Sequence, residues 1–394
     1  MQPDLPPSLP QPGAQAAAHS EHVVEYIRQR IVEAGGSISF AEYMHHALYA
    51  PGLGYYTAGS TKFGAAGDFV TAPEVSVIFG RILARQCAEV LAQIDGGAIL
   101  EYGAGSGKLA VDMLEALADH DALPSAYLIL EISADLRERQ EMFIRERLPQ
   151  LADIVVWVDD VPDNHRGVIV ANEVLDSMPV ERFVRRQAGI MQQRVTATGS
   201  GFAFIEALAP AHLAQYVANV EKSLGHELPA GYTSEVCLAT GPWIGGMAHA
   251  LREGVAFLFD YGVSRREYFA AERVDGWLRC HFRHHAHNDP LLLPGIQDLT
   301  AWVDFTSVAS AAVAQGLSVA GYAAQAQFLM GGGLEAEMQE FGSLSLEQQL
   351  ALSQQVKTLT LPGEMGERFK CLALCKGSLP TPTAFDFADR AHTL

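Results

Sequence analysis

The amino-acid sequence predicts an α/β fold, doubly wound around a mostly parallel sheet of seven strands. Short apolar runs alternate with amphipathic helical segments through the middle of the chain, and a glycine-rich loop follows the first of these runs, Ala98–Tyr102. Two late apolar runs, 317–321 and 369–376, can complete the sheet as a hairpin pair. Short apolar strands that alternate with helices are typical of a parallel sheet covered on both faces.

The composition is that of a globular protein and excludes several classes of function. The chain has 394 residues, of which 49% are hydrophobic and 19% charged, and its formal net charge is −19. This acidic balance argues against a broad nucleic-acid surface, since phosphate binding depends on clustered Lys and Arg. No apolar run reaches the ~18 residues that a membrane-spanning helix needs, so no membrane insertion is expected.

The cysteines and the N-terminal residues predict a cytoplasmic protein. The five cysteines are scattered and odd in number, which suits a reducing compartment. No Lys or Arg precedes Arg28, and no apolar stretch fits a secretory signal. Residues 1–18 carry five prolines and are expected to form a flexible tail.

The elements before the sheet are expected to form a helical N-terminal cap over residues 19–95. Val23, Val24, Ile27 and Ile31 fall on one helical face, and Ser39 with Glu42 makes a capping box at the start of the next helix. After a glycine-rich stretch, Pro73 occupies a helical first turn and apolar spacing predicts one long helix to Ile94.

The remaining chain divides into sheet segments and insertions of one elaborated α/β domain. The core sheet is assigned to residues 98–190, 254–262 and 316–376, and the insertions to residues 195–250 and 265–310. The predicted strands are 98–102, 127–131, 154–158, 168–171, 255–260, 317–321 and 369–376.

The glycine loop after the first strand indicates which cofactor binds. Residues 101–108 read E-Y-G-A-G-S-G-K, with Gly103, Gly105 and Gly107 between strand and helix. The spacing fits neither a phosphate-binding P-loop nor a dinucleotide fingerprint, whose third glycine is replaced here by Lys108. An acid followed by G-x-G-x-G is the form usual in class I methyltransferases that bind S-adenosylmethionine. The alternative is that these glycines only form a tight turn.

Three acids are candidates for contacts with that cofactor. S-adenosylmethionine carries an ammonium, a sulfonium and a ribose diol but no phosphate. Glu101 is expected to act near the cationic methionine end, and Glu131, at the end of the second strand, to accept both ribose hydroxyls. NAD would place its acid ~20 residues beyond the loop, whereas Glu131 follows Gly103 by 28 residues. Asp159 is also assigned to the cofactor site.

The fourth predicted strand runs into three polar residues that are candidates for catalysis. It reads V-I-V-A-N-E-V-L-D and contains Asn172, Glu173 and Asp176. Its tip lies beside the first strand's tip in a doubly wound sheet, so these side chains are expected to face the transferred methyl group. An equally open alternative is that Asn172 caps a helix, with the acids favoured in its first turn.

Two other groups of residues show no spacing that predicts a metal site or a catalytic set. His281, His284, His285 and His287 lie near Asp289, but no Cys or Glu pair completes a recognised ligand spacing, so no metal site is expected. Cys371 and Cys375 alternate with apolar residues in a predicted strand and are expected to be buried packing.

Motifs spread over most of the chain, from about Phe40 to Lys376, resemble those of the MidA-like methyltransferases, a family whose mitochondrial members assist assembly of respiratory complex I. The combination of G-D-F-V-T-A-P-E and N-E-x-x-D is more specific than the glycine loop alone. The motifs are F-A-E-Y-M-H-H-A-L-Y from Phe40, G-Y-Y at Gly54, G-D-F-V-T-A-P-E-V from Gly67, L-E-I-S at Leu130, A-N-E-V-L-D-S-M-P-V from Ala171, F-D-Y-G at Phe259, D-L-T-A-W-V-D-F from Asp298 and Q-A-Q-F-L from Gln325.

The resemblance implies a class I methyltransferase fold with a helical N-terminal cap, and methylation of a protein, with an arginine of a complex I subunit as target. Gly67 and Asp68 are assigned to the cofactor site, where their loop and residues 71–74 are expected to form a cover. The residues assigned to the substrate side are Thr71, Pro73, His285 and Asp298.

The sequence departs from the family pattern at a few positions. Ser177 and Met178 stand where the family usually has Ala and Leu, and residues 195–250 match poorly. A small-molecule methyltransferase and a non-catalytic assembly factor that keeps its cofactor are the alternative functions, with a nicotinamide oxidoreductase a distant further one.

Overall fold

A computed structural model describes residues 5–6, 9–59, 71–199 and 201–394. Fourteen α-helices occur among these residues. They are α1 (Ala14–Glu33), α2 (Phe40–Tyr49), α3 (Ala72–Val75), α4 (Val77–Gln93), α5 (Lys108–Asp119), α6 (Ala134–Arg147), α7 (Ala211–Leu224), α8 (Thr240–Ala250), α9 (Arg265–Tyr268), α10 (Phe305–Ala314), α11 (Gln325–Gly331), α12 (Leu334–Glu337), α13 (Leu346–Thr360) and α14 (Met365–Arg368).

Sixteen strands complete the described secondary structure, besides four short 3₁₀ turns. They are β1 (Ile38–Ser39), β2 (Ala98–Tyr102), β3 (Tyr127–Leu130), β4 (Val155–Val158), β5 (His165–Asn172), β6 (Glu181–Arg186), β7 (Gly189–Ala197), β8 (Phe202–Leu208), β9 (Thr233–Val236), β10 (Leu251–Val263), β11 (Leu278–Phe282), β12 (His285–His287), β13 (Asp298–Ala301), β14 (Val303–Asp304), β15 (Ser318–Ala324) and β16 (Phe369–Lys376).

The chain divides into two compact units. The N-terminal unit combines the described residues of Met1–Phe69 with Leu175–Thr240 and Ser264–Trp302. The central-sheet unit combines the described residues of Val70–Val174 with Gly241–Val263 and Val303–Leu394. Helix α4, which the sequence assigns to the cap, therefore belongs to the central-sheet unit.

The central-sheet unit is built on the strand order β15-β16-β10-β5-β2-β3-β4, with the short β14 beside β10. Strands β10, β5, β2, β3 and β4 are parallel, whereas β16 runs antiparallel to both of its neighbours. This is the predicted seven-stranded, mostly parallel sheet. The two late strands pair with each other as predicted, but α11 to α14 lie between them in the chain, so they do not form a hairpin. The stretch 254–260 of β10 is buried at every position, as expected for a strand covered on both faces.

The N-terminal unit contains two smaller antiparallel sheets. The larger has the order β1-β7-β6-β9, with β8 along the other side of β7, and the smaller has the order β12-β11-β13. The predicted capping box is present at α2: Ser39 Oγ accepts from Glu42 N at 3.1 Å, and Ser39 N donates to Glu42 Oε2 at 2.7 Å. The apolar core of this unit includes Val23, Ile27 and Ile31 of α1, which confirms the predicted helical face except at Val24, which is half-buried.

Two helices differ from the sequence expectation. The long helix predicted after Pro73 is interrupted at Ser76, whose backbone is extended and whose hydroxyl caps α4 by accepting from Ile78 N. Helix α1 begins at Ala14, so residues 14–18 of the predicted flexible tail are helical. Among the described residues, no helix is both long and apolar enough to cross a membrane.

Candidate functional site

The register of the parallel strands aligns their carboxyl ends at one edge of the central sheet. Tyr102, the last residue of β2, pairs with Leu130 of β3 and with Ala171 of β5, and Leu130 pairs with Val158 of β4. The loops that follow these strands therefore leave from one edge, where ligands bind in open α/β sheets. They carry four groups of predicted site residues: the glycine loop, Glu131, Asp159 and the pair Asn172–Glu173.

The glycine loop has a backbone conformation that side chains rarely adopt. The φ angles of Gly103, Gly105 and Gly107 are 61°, 55° and 83°. Glycine enters this left-handed region without steric cost, so the chain can turn sharply from β2 into α5 and bring its backbone close to a ligand. Glu74 of α3 contacts the same loop, since the Ser106 hydroxyl donates to its Oε1.

Glu131 is buried and its carboxylate is fixed from two sides. Oε1 accepts from Ser133 N at 2.9 Å, and Oε2 accepts from Gln140 Nε2 at 3.0 Å. The residue lies directly after β3, at the edge where the glycine loop begins. A carboxylate held in this way suits the predicted acceptance of ribose hydroxyls, since its orientation is set before a ligand arrives.

Glu101 lies on the buried side of β2 rather than on an open surface. It is 2% exposed, and its Oε2 accepts a hydrogen bond of 2.7 Å from the Tyr127 hydroxyl. Burial raises the pKa of Glu101 to about 7; the Tyr127 hydrogen bond opposes this rise, and Glu131 adds to it. Its assignment near the cationic end of the cofactor stays a prediction.

Two exposed side chains flank the loops after β3 and β4. Asp159 follows β4, and its exposed carboxylate forms an ion pair of 2.7 Å with Arg137 of α6. Ile132, next to Glu131, is 67% exposed although it is apolar. An apolar side chain beside a fixed acid offers a surface for a flat base next to a ribose, so these residues fit an adenosine-containing cofactor.

The tip of β5 is strained at Glu173. Glu173 has a φ of 54°, which is uncommon for a residue with a side chain. Its backbone N–H donates to Phe259 O at 2.8 Å, and its Oε1 accepts from Asn172 Nδ2 at 3.2 Å. No α-helix begins between Asn172 and β6 in this fully described stretch, so the alternative that Asn172 caps a helix is wrong. Such backbone strain persists where surrounding contacts enforce it and occurs often at functional sites.

Asp176 and Asp298 lie in the N-terminal unit, close to two tyrosines that sequence reasoning did not assign. The Tyr56 hydroxyl donates to Asp298 Oδ1 at 3.0 Å. The rings of Tyr49 and Tyr56 stack with centroids 5.5 Å apart. Burial raises the pKa of Tyr56 well above its usual value, and Asp298 and Asp176 add to this rise. Both acids therefore border the same tyrosine pair.

Of the other substrate-side candidates, Thr71 and Pro73 belong to the central-sheet unit and His285 to the N-terminal unit. Thr71 is the residue before α3, and Pro73 occupies its first turn as predicted. His285 is exposed at the start of β12, with its Nδ1 2.7 Å from Arg283 O. Gly67 and Asp68 lie outside the described residues. Within the described ranges, no group of three metal-ligating side chains could hold an ion.

Sequence reasoning did not assign Gln140 and Trp157, although Trp157 is hydrogen-bonded to Gln140 and Gln140 to Glu131 and Gly105. Gln140 is fully buried on the face of α6 that also buries Leu136 and Ile144. A polar residue in the middle of an apolar helical stripe was the available signal, because an uncharged amide is rarely buried without partners.

Cys371 and Cys375 are buried in β16, which confirms their predicted packing role.

Comparisons with known proteins identify the family of this chain. A family model of S-adenosyl-L-methionine-dependent methyltransferases matches residues 82–323. The mitochondrial protein arginine methyltransferase NDUFAF7 homolog of Drosophila melanogaster is 30% identical, over 96% of this chain and 90% of the relative. Protein arginine methyltransferase NDUFAF7, mitochondrial, of Danio rerio is 28% identical, over 89% of this chain and 86% of the relative.

A solved structure extends the likeness to the whole fold. A COG1565 superfamily member from Burkholderia thailandensis, crystallised with S-adenosyl-homocysteine, matches with a TM-score of 0.91 and 37% identity. The match covers 98% of this chain and 100% of that one. The predicted class I fold, the MidA-like resemblance and S-adenosylmethionine as cofactor are thereby confirmed. The chain belongs to this family of S-adenosyl-L-methionine-dependent methyltransferases.

Proposed function

We propose that this methyltransferase transfers its methyl group to an arginine side chain of a protein, a subunit of a respiratory complex of the complex I type. The observation that carries the proposal is the likeness to relatives named protein arginine methyltransferase, which extends over 89–96% of the chain. Those relatives match the N-terminal unit as well as the central sheet, so the likeness is not restricted to cofactor-binding loops.

The tip of β5 offers chemistry suited to a guanidinium acceptor. When bound, S-adenosylmethionine supplies an electrophilic methyl group. Glu173 is a partly buried carboxylate at the sheet edge, and Asn172 orients it through the hydrogen bond to Oε1. A carboxylate binds a guanidinium through paired N–H···O contacts, which fix the plane of the cation.

The Glu173 carboxylate can also accept the proton that the guanidinium releases after methyl transfer. A guanidinium has a pKa above ~12, so it cannot be deprotonated freely before transfer. Hydrogen bonds to Glu173 draw positive charge away from the attacking nitrogen, and the carboxylate can take up the proton that this nitrogen releases afterwards. Paired contacts also aim one nitrogen at the reacting carbon, and this orientation lowers the barrier.

We place the reaction in the cytoplasm, although the NDUFAF7 relatives are named as mitochondrial. All five cysteines are free thiols, and four of them are buried. This supports a reducing compartment, where disulfides are rare.

Mass spectrometry of captured clients tests the proposal. Proteins that bind the tagged enzyme in cell extract are incubated with S-adenosylmethionine carrying a deuterated methyl group, then digested and searched for labelled arginines. The Glu173→Gln variant serves as the matched control, because it keeps the side-chain shape and removes the charge. We expect labelled arginine with the wild-type protein and none with the variant.

The two alternative functions give different results in the same experiment. Label recovered only in a small molecule would identify a small-molecule methyltransferase. A captured client that stays unlabelled, although the enzyme binds S-adenosylmethionine, would identify a non-catalytic assembly factor. Label on lysine or a terminal amine would retain protein methylation and overturn the arginine assignment.

A further inference from the structure

Gln140 joins two cofactor loops through a single amide. Its Nε2 donates to Glu131 Oε2 and to Gly105 O, both at 3.0 Å. Gly105 belongs to the loop after β2, whereas Glu131 follows β3. The amide has two N–H groups, so each loop receives one of them.

Trp157 determines which way the Gln140 amide points. The indole Nε1 donates to Gln140 Oε1 at 2.9 Å. If the amide were rotated by 180°, its oxygen would face the Glu131 carboxylate and the Gly105 carbonyl, and its NH₂ group would face another N–H donor. All three contacts would then be repulsive. The network therefore permits one orientation.

The hydrogen bond between Gln140 and Glu131, at the centre of this network, is buried. Gln140 is 0% exposed and Glu131 is 8% exposed. Hydrogen bonds between buried polar groups are stronger than the same bonds in water, and losing one partner leaves the other unsatisfied. Gly107 also packs against this residue, since a Cβ added at Gly107 would lie 3.5 Å from Gln140 Cγ.

We propose that Gln140 is a positioning residue of the cofactor site, which holds the Glu131 carboxylate toward the ribose hydroxyls of S-adenosylmethionine and locks it to the glycine loop. Trp157 assists by fixing the amide. The proposal rests on the assignment of Glu131 as the ribose acceptor. It predicts that Gln140 determines the ratio of the dissociation constants of ligands with and without a ribose hydroxyl, in addition to the affinity for each ligand.

The test measures binding of S-adenosylhomocysteine and of its 2′-deoxy analogue by calorimetry. Wild-type protein should bind the deoxy analogue at least about tenfold more weakly, as expected for a lost hydrogen bond to a carboxylate. In Gln140→Met, which keeps the side-chain length without its polar atoms, both ligands should bind weakly. The ratio of their two dissociation constants should fall to about threefold or less. Trp157→Phe keeps an aromatic side chain, although a smaller one, and loses the N–H donor, so it should give an intermediate ratio. This variant keeps the proposal testable if Gln140→Met folds poorly.

Gln325→Met is the matched control for loss of a buried amide. Gln325 is also 0% exposed, but its Nε2 donates to Leu359 O and not to either cofactor loop. Its replacement should lower the melting temperature and leave the discrimination ratio at the wild-type value. A merely structural role for Gln140 would give this same pattern in Gln140→Met.

Glu131→Ala distinguishes failure of the ribose assignment of Glu131 from failure of the proposed role of Gln140. If Glu131→Ala leaves the ratio unchanged, the ribose assignment of Glu131 fails, and the proposal fails with it. If Glu131→Ala abolishes the discrimination but Gln140→Met and Trp157→Phe retain it, the ribose assignment holds and the role of Gln140 is overturned. Loss of the ratio in Glu131→Ala and Gln140→Met, an intermediate ratio in Trp157→Phe, and no further loss when Glu131 and Gln140 are changed together support positioning through Glu131.

Discussion

The hydroxyl of Tyr127 donates a hydrogen bond of 2.7 Å to Glu101 Oε2, and both side chains are almost completely withdrawn from solvent. The pair joins neighbouring strands directly beneath the glycine loop. Since burial raises the pKa of Glu101 to about 7, the charge of this carboxyl changes within the physiological range. The charge of Glu101, at the base of the glycine loop, therefore depends on the pH near neutrality.

The first prediction concerns the pH dependence of stability in the ligand-free protein. Folding raises the pKa of Glu101 from 4.5 to about 7, so the folded state binds more protons between these values. The contribution of Glu101 to stability is therefore fully present below pH 4.5 and is lost as the pH rises through 7. Chemical denaturation at pH 5 and pH 8 should show a decrease that is larger by about 2–3 kcal/mol in the wild type than in Glu101→Gln. Equal decreases in both proteins would contradict it.

The second prediction concerns Glu131 and affinity for the cofactor. If this carboxylate accepts the ribose diol, Glu131→Ala loses charge-assisted hydrogen bonds worth on the order of 1.5–3 kcal/mol. Calorimetry should show binding of S-adenosylmethionine weakened by roughly ten- to a hundredfold. Glu138→Ala, which removes the same charge at an exposed position of α6, should bind normally.

The third prediction separates the chemistry of Glu173 from its backbone strain. Glu173→Gln should retain cofactor binding and lose most methyl transfer, with Asp176→Asn less affected. Glu173→Gly should lose transfer equally, yet unfold no more easily than Glu173→Gln, because glycine adopts a φ of 54° without strain. Single-turnover assays and thermal melts measure the two effects. Transfer at the wild-type rate in both Glu173 variants would place acceptor binding elsewhere.

The fourth prediction concerns the tyrosine pair of the N-terminal unit. Tyr56→Phe removes a hydrogen bond to the Asp298 carboxylate, whereas Tyr49→Phe removes one of 2.9 Å to the neutral Ser177 carbonyl. Bonds to charged groups are worth about 1.5–3 kcal/mol and neutral ones about 1 kcal/mol. Tyr56→Phe should therefore destabilise the protein more than Tyr49→Phe does, as measured by denaturant unfolding. A larger destabilisation by Tyr49→Phe would show that the hydrogen bond from Tyr56 to Asp298 contributes little to stability.

The sequence predicted the central sheet well because its strands are short, apolar and separated by glycine-rich turns. The strand 98–102 matches β2 at both ends, and the predicted late pair was recovered as β15 and β16. The glycine spacing also identified the correct cofactor class. These features are local, so a single stretch of chain reveals each of them.

Side-chain partnerships were not predictable in the same way. Tyr127 lies 26 residues from Glu101, and Trp157 lies 17 residues from Gln140. The pairing of β2 with β3 brings the first pair together, and the contact of α6 with β4 brings the second together. No local pattern encodes either contact. The break at Ser76 was missed for a related reason, since the apolar spacing continues through it while the Ser76 hydroxyl donates to Gln355 Oε1, 279 residues away.

The strand order also constrains how this chain is completed during synthesis. Strand β16 lies between β10 and β15, although it is made after both of them. Until residue 376 has left the ribosome, the parallel strands present an unpaired edge at β10, and β15 has no position in the sheet. Such an edge favours association with other chains. A nascent chain that stalls between residues 324 and 369 therefore carries a complete cofactor loop together with a sheet whose β10 edge is unpaired. Protection by a chaperone matters most during this late interval.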